Sequence, residues 1–434
     1  MLHIPRIVWI PATAFAFAAA CGDDNLGTTV DDGGVTLNDG GAGVVGGDGG
    51  GAVVVPASCN GSVASISTPA DSLPSLPSGL AVVSGFVIEV VASINAPREL
   101  AALPNGDILV GTNGDGMYLI PNAEADAVPG KSVKFATAQD GNPAGVTFVP
   151  TTCAIYWGTN AGIYKATYND GDVTGDFGTA PIAKVRQGSS GGHATTSVAF
   201  ANGMLYASVG SSCNACTETD VTRASIQQLN PDGSNMTTKA AHIRNAIAIT
   251  TNPDTGTLWA GGAGQDDLPE GHPYEFFDAV GSHAGQSDYG WPSCEENHQD
   301  YGSGADCSQI VQPLIELTAY STIIGASFYS KNQGGKFAFP APYKGGLFLT
   351  NHGSWHTRSS DGSFFSPPRL AFVAMNGDAP ATPVDWTDPT KQWTSFVTGW
   401  SQNSSRATGI AVGAKGSLFV ADDQTSLVYR IRPN

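Results

Sequence analysis

One short strand-like pattern recurs six times along this chain. The copies are GDILVGTN (106–113), CAIYWGTN (153–160), GMLYASVG (203–210), GTLWAGGA (256–263), GGLFLTNH (345–352) and GSLFVADD (416–423). Most begin with Gly, run through large apolar or aromatic residues and end in small or polar ones. Several are followed by a second strand-like run, such as GMYLI, GIYKATY, SIQQLN or LVYRIRP. A strand, a polar turn and another strand, repeated along a chain, is the pattern of a β-propeller, because each repeat buries its apolar face only against its neighbours. Six copies predict six blades. The first four are spaced by roughly fifty residues and the rest by more, so loops are inserted between the fourth, fifth and sixth. A β-sandwich with one long extension is the alternative, and it explains the repeats less well.

Composition agrees with an all-β chain. Charged residues make up 13% of the 434 and glycines number 55, which favours turns over helices. The net charge of −18 excludes an ordinary nucleic-acid binder.

The N-terminus reads as a targeting segment. MLHIPR carries one Arg, an apolar run follows, and Ala18-Ala19-Ala20-Cys21 resembles a bacterial lipobox with Ala18 where Leu is more usual. The expected organisation is a signal peptide over 1–20, a lipidated Cys21 with a Gly/Asp-rich flexible tether over 21–75, and a six-bladed domain over 76–434. Residues 22–55 hold six Asp and no Lys or Arg, a composition that builds no core. The expected location is the cell envelope, as an exported bacterial lipoprotein facing the periplasm or on the outer membrane, since Gly22 is not the Asp that favours inner-membrane retention. Six cysteines remain after Cys21, an even number in an exported chain. Cys213/Cys216 and Cys294/Cys307 are near enough in sequence to pair locally, which leaves Cys59/Cys153. Zinc on Cys213-x-x-Cys216 is a rival reading, but no second ligand pair follows at suitable spacing.

The stretch HIRNAIAI (242–249) raises the question of chemistry. Arg244 and Asn245 stand at the mouth of an apolar run that reads as a buried strand. A cation there is costly unless something anionic meets it.

Four segments resemble one family, the quinoprotein glucose/sorbosone dehydrogenases. They are 191–234, with its His and its GSSCNAC run; 242–294, with its Arg-Asn pair; GGLFLTNHGSWHTR (345–358); and 404–431. INAPRELAALPNGDILV (94–110) fits the family's first blade. The resemblance implies a six-bladed propeller that binds pyrroloquinoline quinone (PQQ), a tricarboxylate o-quinone, together with calcium, and oxidises an aldose or related sugar. It implies His193 as the base that takes the hydroxyl proton, the role imidazole fills near neutral pH. It implies Arg244 and Asn245 beside the quinone, with Arg244 stabilising charge on its oxygens, and Arg406 meeting the cofactor from the last blade. His352, Trp355 and Arg358 are further cofactor contacts in HGSWHTR. Gly264 and Gln265 stand where the family's Gly-Pro pair offers carbonyls to calcium. Asp266, Asp267 and Glu275 are neighbouring carboxylates that also fit a solvated acidic loop. Electrons would pass to an external acceptor. The rivals are a non-catalytic surface propeller that binds carbohydrate or protein, and a calcium-dependent lactonase or hydrolase.

Overall fold

The computed structural model describes residues 43–44, 54–55, 59, 61, 63, 65 and 67–434, except 139, 176–177, 179, 187–190, 269–270, 296, 355–365 and 402. Among these residues there is no α-helix, only strands and four 3-10 turns. Six small antiparallel sheets form the blades of a propeller.

Blade 1 takes Pro97–Ala102, Ile108–Thr112, Gly116–Ile120 and Val133–Thr137. Blade 2 takes Gly145–Val149, Ala154–Gly158, Gly162–Thr167 and Ala183–Lys184. Blade 3 takes Thr196–Ala201, Met204–Val209, Ser225–Leu229 and Thr237–Ala241, with Ser287–Asp288 added at its edge. Blade 4 takes Asn245–Thr251, Leu258–Ala263, Glu275–Asp278 and Ile315–Leu317. Blade 5 takes Ile323–Phe328, Leu347–Asn351, Arg369–Val373 and Trp393–Thr398. Blade 6 takes Ala407–Val412, Leu418–Asp422 and Leu427–Pro433, and its outer strand is Phe86–Ser93, from before blade 1. The six repeats found in the sequence are the second strands of the six blades.

The first strands of consecutive blades touch in a closed ring, blade 6 against blade 1 included. Apolar side chains fill the spaces between blades. Leu347 and Leu349 of blade 5, for example, meet Trp259, Phe277 and Leu317 of blade 4. Side chains alternate across a strand, so each blade contributes one set of residues to each neighbour. In blades 1, 4, 5 and 6 the register of the first strand shifts near its start, between Pro97 and Leu100, Asn245 and Ala248, Ile323 and Gly325, and Ala407 and Ile410. Such bulges re-aim side chains and open the ladder. Here they sit at one end of the ring, where the candidate residues gather.

The three disulfides are Cys59–Cys153, Cys213–Cys216 and Cys294–Cys307, as expected. The first ties the segment before the blades to blade 2. Ser65 Oγ also bonds Asp107, and Ala70 N donates to Pro129 O at 3.0 Å. Bonds to the blades therefore begin at Cys59, ahead of the expected start of the domain at 76 and after the 22–55 stretch whose composition builds no core. The proposed signal peptide, Cys21 and most of the tether lie outside the described residues. No helix among the described residues is long and apolar enough to cross a membrane.

Candidate active site

Every described candidate residue comes from the same end of the propeller, where first strands begin and second strands finish. His193 precedes the first strand of blade 3, and Arg244 and Asn245 open that of blade 4. Gly264 and Gln265 follow the second strand of blade 4, His352 follows that of blade 5, and Arg406 precedes the first strand of blade 6. Trp355 and Arg358 lie outside the described residues.

His193 and the Arg-Asn pair meet through a glycine. A Cβ on Gly210 would lie 2.5 Å from both Asn245 Oδ1 and His193 Cβ. Only glycine lets the two side chains close over the end of blade 3's second strand. The backbone repeats the link: His193 N donates to Ser211 O at 2.9 Å, and Ser211 N donates to Arg244 O at 2.8 Å.

The tautomer of His193 follows from its partners. Nδ1 lies 3.2 Å from Ser211 O and 3.0 Å from Ser211 Oγ. That hydroxyl donates its own proton to Cys213 O at 2.6 Å. Both oxygens facing Nδ1 are therefore acceptors, so Nδ1 carries the proton and the Nε2 lone pair is left to accept one. Burial, reinforced by Arg244 and more weakly by Arg223 and Arg186, pushes the imidazole pKa down to about 3. At neutral pH the ring is a neutral base.

Arg244 is 7% exposed, and its anion is Asp266. Nη2 bonds Asp266 Oδ2 at 2.8 Å, Nη1 bonds Gly264 O at 2.7 Å, and Nε bonds Asn214 O at 3.2 Å. Asn214 grips Asp266 in turn: its Oδ1 accepts from Asp266 N at 2.8 Å, and its Nδ2 donates to Asp266 O at 3.0 Å. The guanidinium is thus fixed by three oxygens beside Asn245, in a pose preorganised for charge on a ligand.

A second cluster spans blades 5, 6 and 1. His352 Nε2 lies 3.1 Å from Asp423 Oδ1, and Arg98 Nη1 bonds Asp423 Oδ2 at 2.9 Å. Burial pushes His352 down to about 4 in spite of Asp423. Burial alone would raise Asp423, but His352 and Arg98 hold its carboxyl well below the usual range. Arg406 Nε donates to His352 O at 2.8 Å and its Nη2 to Gly353 O, so it fastens the end of blade 5's second strand to blade 6.

Sequence reasoning missed Arg98, Arg186, Arg223, Asn214 and Asp423. Arg186 bonds Thr195 O at 2.6 Å and Thr196 Oγ1, holding the segment that follows His193. Arg223 bonds Gly210 O and Gly191 O on its two sides. Asp423 closes the sixth repeat, and its place in GSLFVADD matches His352 in GGLFLTNH; aligning the repeats by position would have found the pair. Of the six buried arginines among the described residues, five (98, 186, 223, 244 and 406) lie at this end. In a chain of net charge −18, that is a local concentration of positive charge.

Two donor sets bear on cofactors. The arginines, the amide of Asn245 and a neutral imidazole suit a planar polyanion. For a hard cation, the Gly264 carbonyl already accepts from Arg244 but has a second lone pair, Gln265 is buried beside it, and Asp266 neutralises the guanidinium. Glu275 is 3% exposed; burial raises its pKa well above the carboxylate range, and its Oε2 has no hydrogen-bond partner. Cys213, Cys216 and Glu218 also lie close enough to share a metal, but the two sulfurs are bonded to each other, which removes them as thiolate ligands.

No family model matches the chain. An uncharacterized protein of Borreliella burgdorferi is 21% identical over 387 residues, covering 85% of this chain and 94% of the relative. Among solved structures, the carbohydrate-active enzyme of family AA12 from Trichoderma reesei superposes with a TM-score of 0.68 at 17% identity, over 84% of this chain and all of that one. The PQQ domain of pyranose dehydrogenase from Coprinopsis cinerea gives 0.67 at 17% identity, over 84% and 99%. The soluble aldose sugar dehydrogenase of Escherichia coli gives 0.55 at 17% identity, over 80% and 100%. The chain has the fold of these enzymes. At such identities the likeness speaks for the fold, and the chemistry rests on this chain's own residues.

Proposed function

We propose that this protein is a quinoprotein oxidoreductase that oxidises an aldose or related sugar and passes the electrons to an external acceptor. One observation carries the proposal: a neutral imidazole with its Nε2 lone pair available stands against a fixed Arg-Asn pair, at the arginine-rich end of a propeller whose solved neighbours include a PQQ domain and an aldose sugar dehydrogenase.

Bound PQQ would supply the two-electron acceptor for hydride from the sugar carbon. His193 Nε2 takes the hydroxyl proton as the C–H bond breaks. Arg244, held in place by Asp266, Gly264 and Asn214, offsets negative charge on the acceptor's oxygens, and Asn245 adds an amide donor. Arg406, which fastens the backbone at His352 and Gly353, and His352 would add polar contacts to the cofactor from blades 6 and 5. Trp355 and Arg358 remain proposed contacts from the same HGSWHTR run. Gly264 and Gln265 would hold calcium, the Gly264 carbonyl using the lone pair that Arg244 leaves. In this reading residues 1–20 export the chain, and lipid on Cys21 holds it to the membrane of a bacterial envelope.

The test is dye reduction by the purified full chain with a panel of aldoses, with and without added quinone and calcium. Sugar-dependent reduction that requires the quinone, and falls by roughly 10²–10⁴-fold in His193→Gln, is expected. Failure to bind quinone at all would sink the proposal and leave a carbohydrate- or protein-binding propeller.

A further inference from the structure

The CNAC run at 213–216 touches both halves of the candidate site. Cys213 O accepts from Ser211 Oγ, the hydroxyl that fixes the tautomer of His193. Asn214 O accepts from Arg244 Nε at 3.2 Å and from Trp291 Nε1 at 3.1 Å. The Asn214 side chain grips the backbone of Asp266, the partner of Arg244. Four residues closed by one disulfide therefore set the base and the cation together.

This disulfide differs from the other two. Cys59, Cys153, Cys294 and Cys307 are buried, whereas Cys213 and Cys216 are partly exposed. The partners are separated by 3 residues, against 94 and 13 for the others. A cross-link that closes so short a loop removes little freedom from the unfolded chain, so it contributes little to global stability. Its effect is local: it holds Cys213 O and Asn214 in the pose that Ser211 and Arg244 use. The Glu218 carboxylate lies within 4.8 Å of both sulfurs and accepts from Ser212 Oγ at 2.9 Å. Beside that carboxylate a reduced cysteine keeps its proton, so the opened loop carries two neutral thiols and nothing but its remaining hydrogen bonds to hold the closed geometry.

We propose that Cys213–Cys216 is a thiol–disulfide exchange site that gates the candidate active site, its reduction releasing His193 and Arg244 from their fixed poses together. The reductant is a dithiol. One of its thiolates attacks a loop sulfur, the S–S bond breaks and a mixed disulfide forms. The second thiol resolves that intermediate, leaving the reductant as a disulfide and both cysteines as thiols. Two electrons and two protons pass to the loop, and reoxidation reverses the step. The functional consequence rests on the proposed roles of His193 and Arg244; the exchange chemistry does not.

The experiment titrates the full chain with dithiothreitol, traps free thiols with iodoacetamide and maps them by mass spectrometry. In parallel it follows quinone affinity by fluorescence and the C2 proton of His193 by NMR, assigned with His193→Gln. Cys213 and Cys216 are expected to label first, with the other two disulfides and the thermal melting point retained. In the opened form quinone binding should weaken by about tenfold or more. The His193 pKa should move up toward the ordinary value as its shielding and the Arg244 charge withdraw. A C213S/C216S double variant should behave like the opened form and ignore dithiothreitol, and reoxidation of the wild type should restore the closed one. Labelling of the other cysteines first would overturn the gate, as would an opened loop that leaves both His193 titration and quinone affinity unchanged. If the oxidised chain binds no quinone, the proposed function fails, while labelling order and His193 titration still decide the gate.

Discussion

At the scale of single residues, the account turns on two ring nitrogens and one guanidinium. The Arg244 cation raised a question in the sequence, and its answer lies within the chain: Asp266, 22 residues on. Sequence alone could not choose between that carboxylate and Asp267 or Glu275, because the choice depends on how the loop after blade 4's second strand folds back over Asn214. His193 was legible only through its motif. What keeps its ring neutral, with the Nε2 lone pair bare of a proton, is the acceptor character of both Ser211 oxygens and the burial around it, neither of which has a signature in the sequence. Its pKa of about 3 predicts a pH profile. An ordinary histidine would be mostly protonated at pH 5, whereas His193 stays neutral there, so kcat/KM should hold through the acid range that silences an ordinary imidazole base. Stability has the opposite trend. Between about 6.5 and the folded values near 3 and 4 for His193 and His352, the unfolded chain binds protons that the folded one refuses. The melting temperature should therefore fall as pH falls through that window. A melting temperature indifferent to pH across it in the wild type, or equally steep in His193→Gln and His352→Gln, would contradict these shifts.

At the scale of elements, the six repeats were readable because each second strand is an apolar run buried on both faces, led by Gly in five of the six. The closure of the ring was not, since its strand, Phe86–Ser93, pairs with a partner more than three hundred residues away. Side chains reinforce that pairing. Glu89 accepts from Arg430 Nη2 at 2.7 Å and from Arg432 Nη2 at 2.6 Å, and Arg430 is 2% exposed. Removing the carboxylate leaves Arg430 with the carbonyls of Ala123 and Ala125 but no counter-charge. Glu89→Ala should cost about 1–3 kcal/mol, between the ranges for exposed and buried pairs. Urea unfolding would measure it, and a loss below roughly 1 kcal/mol, the range of exposed pairs, would mean that the closing strand is held by backbone pairing and apolar contact alone. The bonds that tie Cys59, Ser65 and Ala70 to Cys153, Asp107 and Pro129 were not legible for a related reason: all are long-range.

At the scale of the whole molecule, the propeller gathers residues that are hundreds of positions apart onto one end of a ring. An acidic chain places five of its six buried arginines (described residues) at that end. The fold class was legible from repeats, and the gathering of the candidate residues at one end followed from the fold. The electrostatic focus was not, because Arg98, Arg186 and Arg223 stand in segments with no motif of their own. The central claim is that this focus holds a quinone polyanion beside His193. Its most direct test is a fluorescence titration of the full chain with pyrroloquinoline quinone, wild type against Arg244→Met. Saturable binding is expected in the wild type, with affinity falling by about tenfold to a hundredfold in the variant, as for loss of a charge-assisted contact. No saturable binding in the wild type, or equal binding in both, would contradict the account.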